Sequence, residues 1–168
     1  MTAADFSAEQ LGRAIFDETN RVRAAHGVPP LAHAAPLDSA AEEQAAYMAL
    51  DERAGHTNPF PGERDVAERV GHEGLDNVRV AENVIMVPSR RPQGEEPRYY
   101  TYSQFAALLL DGWMNSPPHR ANIMNPKFTY LGCAARLADA ILPGDQRVYA
   151  AQVFLLPLMR QGAGAVSP

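Results

Sequence analysis

The spacing of hydrophobic and polar residues along the chain predicts alternating helices and strands. Apolar or small residues recur near helical spacing in three segments, which predicts long helices over residues 7–26, 36–53 and 103–116. Runs rich in β-branched and aromatic residues predict strands over residues 78–87, 130–137 and 148–156. The order helix, helix, strand, helix, strand, strand favours an α+β fold built in layers.

Helix ends are predicted from polar residues with capping spacing. Ser7 with Gln10 and Ser39 with Glu42 have the pattern of an N-cap, and Ser103 is expected to cap the third long helix. Two shorter pieces complete the helical prediction: a helix over residues 65–70 that ends at Gly71, and one further turn over 119–124 after the Pro117-Pro118 pair has ended the third helix.

The connecting segments carry proline, glycine and other turn residues. An extended connector is predicted over residues 28–31, a turn-rich loop over 55–62 and a surface loop over 88–101. A turn at residues 143–145 is expected to join the last two strands. No internal repeat or linker divides the chain, so residues 1–160 are predicted to form one domain, with a loose tail over 161–168.

Composition and charge narrow the possible functions. The chain has 168 residues, of which 46% are hydrophobic, and this is typical of a globular domain. Its formal net charge of −5 argues against binding to nucleic acid or to an anionic membrane surface, since both need a basic face. No run approaches 18 apolar residues, so no integral membrane segment is expected.

The single cysteine and the N-terminal residues are informative about the cellular compartment of the protein. Cys133 is the single cysteine, which excludes an internal disulfide, and its strand pattern predicts a buried thiol. The first ten residues are polar and acidic and do not resemble a signal peptide. Two interpretations stay open: the protein is cytoplasmic, or an export signal has been removed.

Four short segments occur in an order that is more specific than any one of them. They are His56-Thr57-Asn58-Pro59, Ala81-Glu82-Asn83-Val84, the run from Trp113 to Ile123 that contains Ser116-Pro117-Pro118-His119-Arg120, and Leu131-Gly132-Cys133-Ala134. Together they resemble the CAP superfamily, which comprises cysteine-rich secretory proteins, antigen 5 and pathogenesis-related 1 proteins. The likeness is greatest to its disulfide-free bacterial branch and extends over roughly residues 12–156.

The resemblance implies an α-β-α sandwich, with a small antiparallel sheet between helical layers. It also implies a cleft lined by two His and, in many members, two Glu. His56, Glu82 and His119 fall on three of these four positions. The second Glu would follow Trp113 by a few residues, where this chain has Met-Asn-Ser-Pro-Pro at 114–118. Family members bind metals, lipids and protein partners, usually in the extracellular space or cell envelope.

Two imidazoles and one carboxylate form a donor set that suits a divalent transition metal. Zn²⁺ accepts His nitrogen and carboxylate oxygen and can retain water at an open position. His56, His119 and Glu82 are therefore the candidate metal ligands, with Zn²⁺ or a similar ion as the cofactor and no organic cofactor. The alternative interpretation is a hydrogen-bonded polar cluster that only orders the cleft.

Two main function classes follow from this site. In the first, the domain is a binding module that holds a metal and a small molecule, lipid or peptide in the cleft. In the second, it is a metal-dependent, protease-like hydrolase with Glu82 and His119 as catalytic residues. A Ser116-His119-Glu82 triad is the weaker form of the enzyme hypothesis, because no GxSxG elbow is present and Ser116 has the position of a helix-end residue. A third interpretation is an interaction domain whose polar cluster only stabilises the fold.

Overall fold

A sheet with helices on both faces organises the computed structural model, which describes residues 5–92, 94, 99–138 and 146–158. The helices within these residues are α1 (Ala8–Ala25), α2 (Ala35–Asp51), α3 (Val66–His72), α4 (Tyr102–Met114) and α5 (Pro117–Ile123). The strands are β1 (Ala32–His33), β2 (Val78–Pro88), β3 (Tyr130–Ala138) and β4 (Arg147–Pro157). The expected turn at 143–145 and tail at 161–168 lie outside the described residues.

The strands are ordered β1-β3-β4-β2, so β2 lies at one edge of the sheet. β4 pairs antiparallel with both β2 and β3 along almost its whole length. The short strand β1 adds to the other side of β3 in parallel register. The sheet is therefore mixed, whereas the family resemblance implied an antiparallel one, and the difference comes from these two residues of β1.

Alternation along β4 explains why helices cover both faces of the sheet. Val148, Ala150 and Phe154 share a core with residues of α1 and α4. Tyr149 and Ala151 point to the other face and share a second core with α2. A strand buried on both faces reads as a continuous apolar run, as residues 148–156 do. The predicted α+β class and α-β-α layering are confirmed.

Two glycines allow α1 and α2 to approach the backbone of β3. A Cβ at Gly132 would lie 2.2 Å from the carbonyl carbon of Leu37 in α2. A Cβ at Gly12 in α1 would lie 2.8 Å from the carbonyl oxygen of Cys133. The close packing of both helices on β3 therefore requires glycine at both positions.

The predicted N-cap of α1 is confirmed, and that of α2 is not. Ser7 caps α1, since its hydroxyl accepts a hydrogen bond from the Gln10 amide at 3.2 Å. The expected cap at Ser39 is wrong, because α2 begins four residues earlier, after Ala34. Pro36 occupies the first turn of α2, where the missing N–H of proline has no cost and its fixed φ favours the helix.

The expected cap of α4 is also wrong. Thr101, not Ser103, caps this helix: its hydroxyl accepts from the Gln104 amide at 3.2 Å, and the Gln104 side chain accepts from the Thr101 amide at 3.0 Å. This reciprocal arrangement satisfies two amides that lack a partner within the helix.

Two short helices extend beyond their predicted limits. α5 begins with Pro117 and Pro118 in its first turn, so the proline pair starts this helix, while α4 already ends at Met114. α3 continues through Gly71 to His72, and its N-cap is Asp65.

The burial of the single thiol matches the sequence prediction. Cys133 is 5% exposed, and burial raises the pKa of its thiol well above the usual range, with Asp38 and Asp17 adding to the effect. Within the described residues, no helix combines the length and the apolar character that crossing a bilayer requires.

Replacing Gly132 with alanine is expected to destabilise the protein by about 2–4 kcal/mol, because the added methyl would overlap the backbone of α2. The measurement is urea unfolding followed by circular dichroism. Gly71→Ala is the matched control, since no atom lies within 4 Å of its added Cβ. It should stabilise α3 by up to about 1 kcal/mol. Equal effects of the two substitutions would contradict the close approach of α2 to β3.

Candidate functional site

Three of the residues singled out from the sequence lie together at the β2 edge of the sheet. His56 lies in the loop between α2 and α3, Glu82 in β2 and His119 in α5. The Nδ1 atom of His56 is 2.9 Å from Oε1 of Glu82. The centroids of the His56 and His119 rings are 6.5 Å apart, with the ring planes inclined at 52°. The two imidazole rings therefore lie close to each other.

Glu82 is a buried carboxylate with two partners. Its side chain is 2% exposed, and its second oxygen, Oε2, forms an ion pair with the guanidinium of Arg69, which is fully buried. A buried charge needs a compensating partner and further hydrogen bonds. Arg69 and His56 together satisfy this requirement and hold the carboxylate in one position.

Arg69 also connects α3 to the loop that carries His56. One guanidinium nitrogen donates to the Glu63 carbonyl oxygen at 2.9 Å, in addition to the ion pair with Glu82. The role of Arg69 was not predicted from the sequence. Arg69 follows Glu68 in a seven-residue helix, a pattern typical of solvated side chains, and nothing local indicates that Arg69 is buried.

The loop before α3 is fixed from two directions. The Gln44 side chain in α2 donates to the Gly55 carbonyl at 2.6 Å, next to His56. Asn58 is buried; its side chain donates to a carboxylate oxygen of Glu63 and accepts from the Phe60 amide, both at 2.9 Å. The loop backbone is thus ordered while the His56 side chain stays 55% exposed.

Asn83 and Asn122 hold the helix that carries His119 against β2. The Asn83 side-chain amide donates to the His119 carbonyl at 3.1 Å. Asn122, one turn along α5, donates to the Asn83 side-chain oxygen at 2.8 Å and to the Glu82 carbonyl at 3.3 Å. These bonds attach α5 to the edge strand β2.

The asparagine pair belongs to a longer chain of polar side chains. Asn83 also donates to the Gln152 side-chain oxygen at 3.1 Å, and Gln152 donates to the Thr19 hydroxyl at 2.7 Å. Thr19 in turn donates to the Ile15 carbonyl at 2.6 Å. Asn83, Gln152 and Thr19 are fully buried, so this chain joins β2, β4 and α1 through the protein interior.

Glu82 and Asn83 are consecutive residues of one strand, so their side chains point to opposite faces of the sheet. Glu82 holds His56 on the α3 side, and Asn83 holds the His119 backbone on the α5 side. The two histidines approach each other around the strand edge because this dipeptide anchors both of them.

The environment of His119 favours its neutral form. Burial lowers the pKa of the His119 imidazole below its usual value of 6.5, and the neighbouring His56 lowers it further. A neutral imidazole is the form that can coordinate a metal ion.

The candidate metal ligands do not form a complete metal centre. Among the described residues, no group of three or more His, Cys, Asp or Glu side chains has the geometry of a metal centre. Both carboxylate oxygens of Glu82 already have partners. An ion held by two imidazole nitrogens at about 2.0–2.1 Å places the ring centroids roughly 5–6.5 Å apart. The observed 6.5 Å corresponds to a nearly linear angle between the two nitrogens at the ion, so tetrahedral coordination by both imidazoles would require the rings to move closer together.

The other residues considered for the site lie at helix ends or in the core. Ser116 is the residue before α5, and within the described part of the chain no hydrogen bond joins it to His119. Trp113 is fully buried in the core of α4. The expected position of the second Glu is occupied by the end of α4 and its C-cap residue Asn115.

Comparison with known families identifies a similar sequence pattern. A profile described as CAP, the cysteine-rich secretory protein family, matches residues 16–141. This range includes His56, Glu82 and His119. Curated proteins give no match to the chain.

Solved structures of bacterial proteins have a similar fold. An extracellular protein containing an SCP domain from Bacillus anthracis str. Ames has TM-score 0.64 and 22% identity, covering 89% of this chain and 41% of that one. A cysteine-rich secretory protein from Staphylococcus aureus subsp. aureus Mu50 has TM-score 0.57 and 17% identity, covering 90% and 40%. An outer surface protein from Borrelia burgdorferi has TM-score 0.62 and 14% identity, covering 90% and 96%. The chain thus matches about two fifths of the length of the first two proteins.

Replacing Arg69 with leucine is expected to destabilise the protein by about 3–5 kcal/mol, because it leaves the Glu82 carboxylate buried without a cation. Combining it with Glu82→Leu should recover most of this loss, since the double variant has no unpaired buried charge. Urea unfolding of the two single variants and the double variant measures the coupling.

Arg64→Leu is the control for the Arg69 substitution. Arg64 pairs with Glu68 on the surface of α3, so its loss should cost less than about 1 kcal/mol. Additive effects of Arg69→Leu and Glu82→Leu would contradict the buried ion pair.

Proposed function

Because the chain belongs to the cysteine-rich secretory protein (CAP) family, we propose that its cleft is a binding site in which His56 and His119 hold a divalent transition metal. Zn²⁺ is the expected ion, since two imidazoles favour a transition metal over Ca²⁺ or Mg²⁺, which prefer oxygen ligands. Glu82 orients His56 and lies outside the coordination shell in this proposal.

The hydrogen bond between Glu82 and His56 is the observation that carries the proposal. An ionised carboxylate can only accept a hydrogen bond, so Nδ1 of His56 must be the donor. The Nε2 atom then has a free lone pair for a ligand. A carboxylate on the far nitrogen of a metal-binding imidazole fixes its tautomer and raises its basicity. The 55% exposure of the His56 side chain leaves it accessible.

The number of protein donors predicts weak binding. Two imidazoles leave further positions to water or to a ligand oxygen or nitrogen, and fewer protein donors mean lower affinity. When bound, the ion would polarise a ligand oxygen as a Lewis acid. The contribution of the chain itself is to hold His56 through Glu82 and the His119 backbone through Asn83.

The pairing of Glu82 supports binding over hydrolysis. A general base must be free to take up a proton, and both carboxylate oxygens of Glu82 are already bonded, one to Arg69 and one to His56. Ser116 has no hydrogen bond to His119 among the described contacts, which leaves a serine mechanism without an activated nucleophile. A small molecule, lipid or peptide that supplies a donor atom is therefore the expected occupant of the cleft.

An extracellular or cell-envelope location is part of the same proposal. It is supported by the descriptions of two similar structures, one as an extracellular protein and one as an outer surface protein. A metal-binding cleft on such a protein would encounter its ligands outside the cell.

Isothermal titration with Zn²⁺ at pH 7.5 tests the site. We expect measurable binding to the wild type and at least about tenfold weaker binding to His56→Ala and to His119→Ala, because each change removes one of two ligands. His26→Ala is the control, since His26 caps the far end of α1. Undiminished binding in both cleft variants would place the metal elsewhere, and no binding to the wild type would favour a purely structural polar cluster.

The pH dependence of zinc binding follows from protonation of His119. Because the pKa of His119 is lowered from 6.5, the imidazole stays neutral at pH 7 and takes up its proton only below that value. Zinc affinity should therefore be nearly constant from pH 8 to pH 7 and fall steadily below about pH 6.5. The same titration repeated across this range measures it, and an affinity that rises on acidification would contradict imidazole ligation.

A further inference from the structure

A cavity lies at the opposite edge of the sheet from the two histidines. Its volume is about 550 Å³, within the range of small-molecule sites. It is bordered by α1, β1, the first turns of α2 and β3, none of which carries His56, Glu82 or His119. It is therefore a separate site.

The cavity exists because β1 is short. β1 pairs only with Tyr130 and Leu131, so among the described residues the outer edge of β3 has no strand partner from Gly132 onward. Asp38 of α2 accepts a hydrogen bond from the Cys133 amide at 2.8 Å and satisfies one group of this edge. α1 and α2 pack on opposite faces of the sheet and form the two walls of the space beside it.

α1 contributes one apolar and one charged row to the wall. Ala8, Gly12 and Phe16 recur every four residues and so lie along one side of the helix. Glu9, Arg13 and Asp17 form the adjacent row with the same spacing. A ligand in the cavity would therefore contact an apolar surface with charged groups at its margin.

The charged groups of the lining are mainly acidic. Glu42 forms an ion pair with Arg136 and is neutralised. Asp38 contacts His33 at 2.5 Å as well as the Cys133 amide, so both of its carboxylate oxygens have partners. Glu9 and Asp17 accept no hydrogen bond and form no ion pair within the described part of the chain.

Two carboxylates, at Glu9 and Asp17, thus remain against the one guanidinium of Arg13. The lining therefore carries an excess of negative charge beside the Cys133 thiol, whose pKa is raised mainly by burial and further by Asp38 and Asp17. A cation would gain from this field, and an anion would be repelled by it.

We propose that this cavity binds an organic cation, with a protonated amine beside the carboxylate of Asp17 and a short apolar group packed against Gly12 and Phe16. A metal ion is a poorer occupant, since no group of three metal-binding side chains is present among the described residues. An anionic amphiphile of the same shape would lose the favourable electrostatic contacts and meet like charge.

Amide NMR titration with n-hexylamine tests the proposal, with n-hexanol and hexanoate as probes of the same chain length. We expect hexylamine to shift the amide signals of Gly12 and Cys133 with a Kd of about millimolar order, as suits a ligand of this size. Hexanol should bind more weakly, and hexanoate most weakly of the three. The affinity for hexylamine should fall as salt is added.

Two variants separate the charges of the site from its shape. Glu9→Gln combined with Asp17→Asn should weaken hexylamine binding by about threefold to tenfold, because the ion pair with Asp17 and the attraction to the nearby charge of Glu9 are lost, and should leave hexanol binding unchanged. Ser39→Phe, at an exposed position of the lining, should weaken binding of both probes by filling the cavity. Thermal unfolding of each variant checks that the fold is retained.

The matched control is Asp51→Asn combined with Glu52→Gln at the far end of α2. It changes the net charge by the same amount at a distance of roughly 15 Å from the cavity. It should leave hexylamine binding unchanged. The proposal is overturned if hexylamine shifts no signals at the cavity, if hexanoate binds as tightly as hexylamine, or if the control weakens binding as much as the Glu9 and Asp17 variant.

Discussion

Glu82 is a carboxylate buried in the edge strand of the sheet, and much of the cleft depends on how its charge is satisfied. A carboxylate in this position is tolerated only with a cation and hydrogen-bond donors close by. Arg69 supplies the cation from α3, and His56 supplies a donor from the preceding loop. The same guanidinium binds the Glu63 carbonyl, so the need to neutralise one charge fixes a helix, a loop and a strand relative to one another.

A second polar system lies on the other side of the same strand. Asn83 carries hydrogen bonds to the His119 backbone and to Gln152, and the latter continues to Thr19 in α1. Because every member of this chain has a partner, it can be buried without a large penalty and it specifies how α5 docks. Two neighbouring residues with opposite orientations therefore place two histidines that are distant in sequence within one cleft.

Much of this arrangement could be predicted from patterns within short segments of the sequence. The apolar periodicity of α1 and α4 and the apolar run of β4 are local patterns, and the ordered motifs around His56, Glu82 and His119 indicated a family and its fold. Gln152 could have indicated a buried hydrogen-bond network from the sequence alone, since a lone amide in a strand buried on both faces must find a partner. The role of Arg69 could not be inferred, because its burial depends on a strand that lies 13 residues away in the chain. β1 was not predicted, because a strand of two residues is too short to show the alternation of apolar and polar residues that indicates a strand.

The tautomer of His56 is the most direct test of the central claim that Glu82 prepares this imidazole to bind a ligand. Long-range ¹H–¹⁵N NMR of the histidine side chains at pH 7.5 without metal distinguishes a protonated Nδ1 from a protonated Nε2. The account predicts that Nδ1 of His56 carries the proton in the wild type, because it donates to Glu82, and that this preference is lost in Glu82→Ala. A wild-type His56 protonated mainly at Nε2 would contradict the account, since the nitrogen assigned to the ligand would then be blocked.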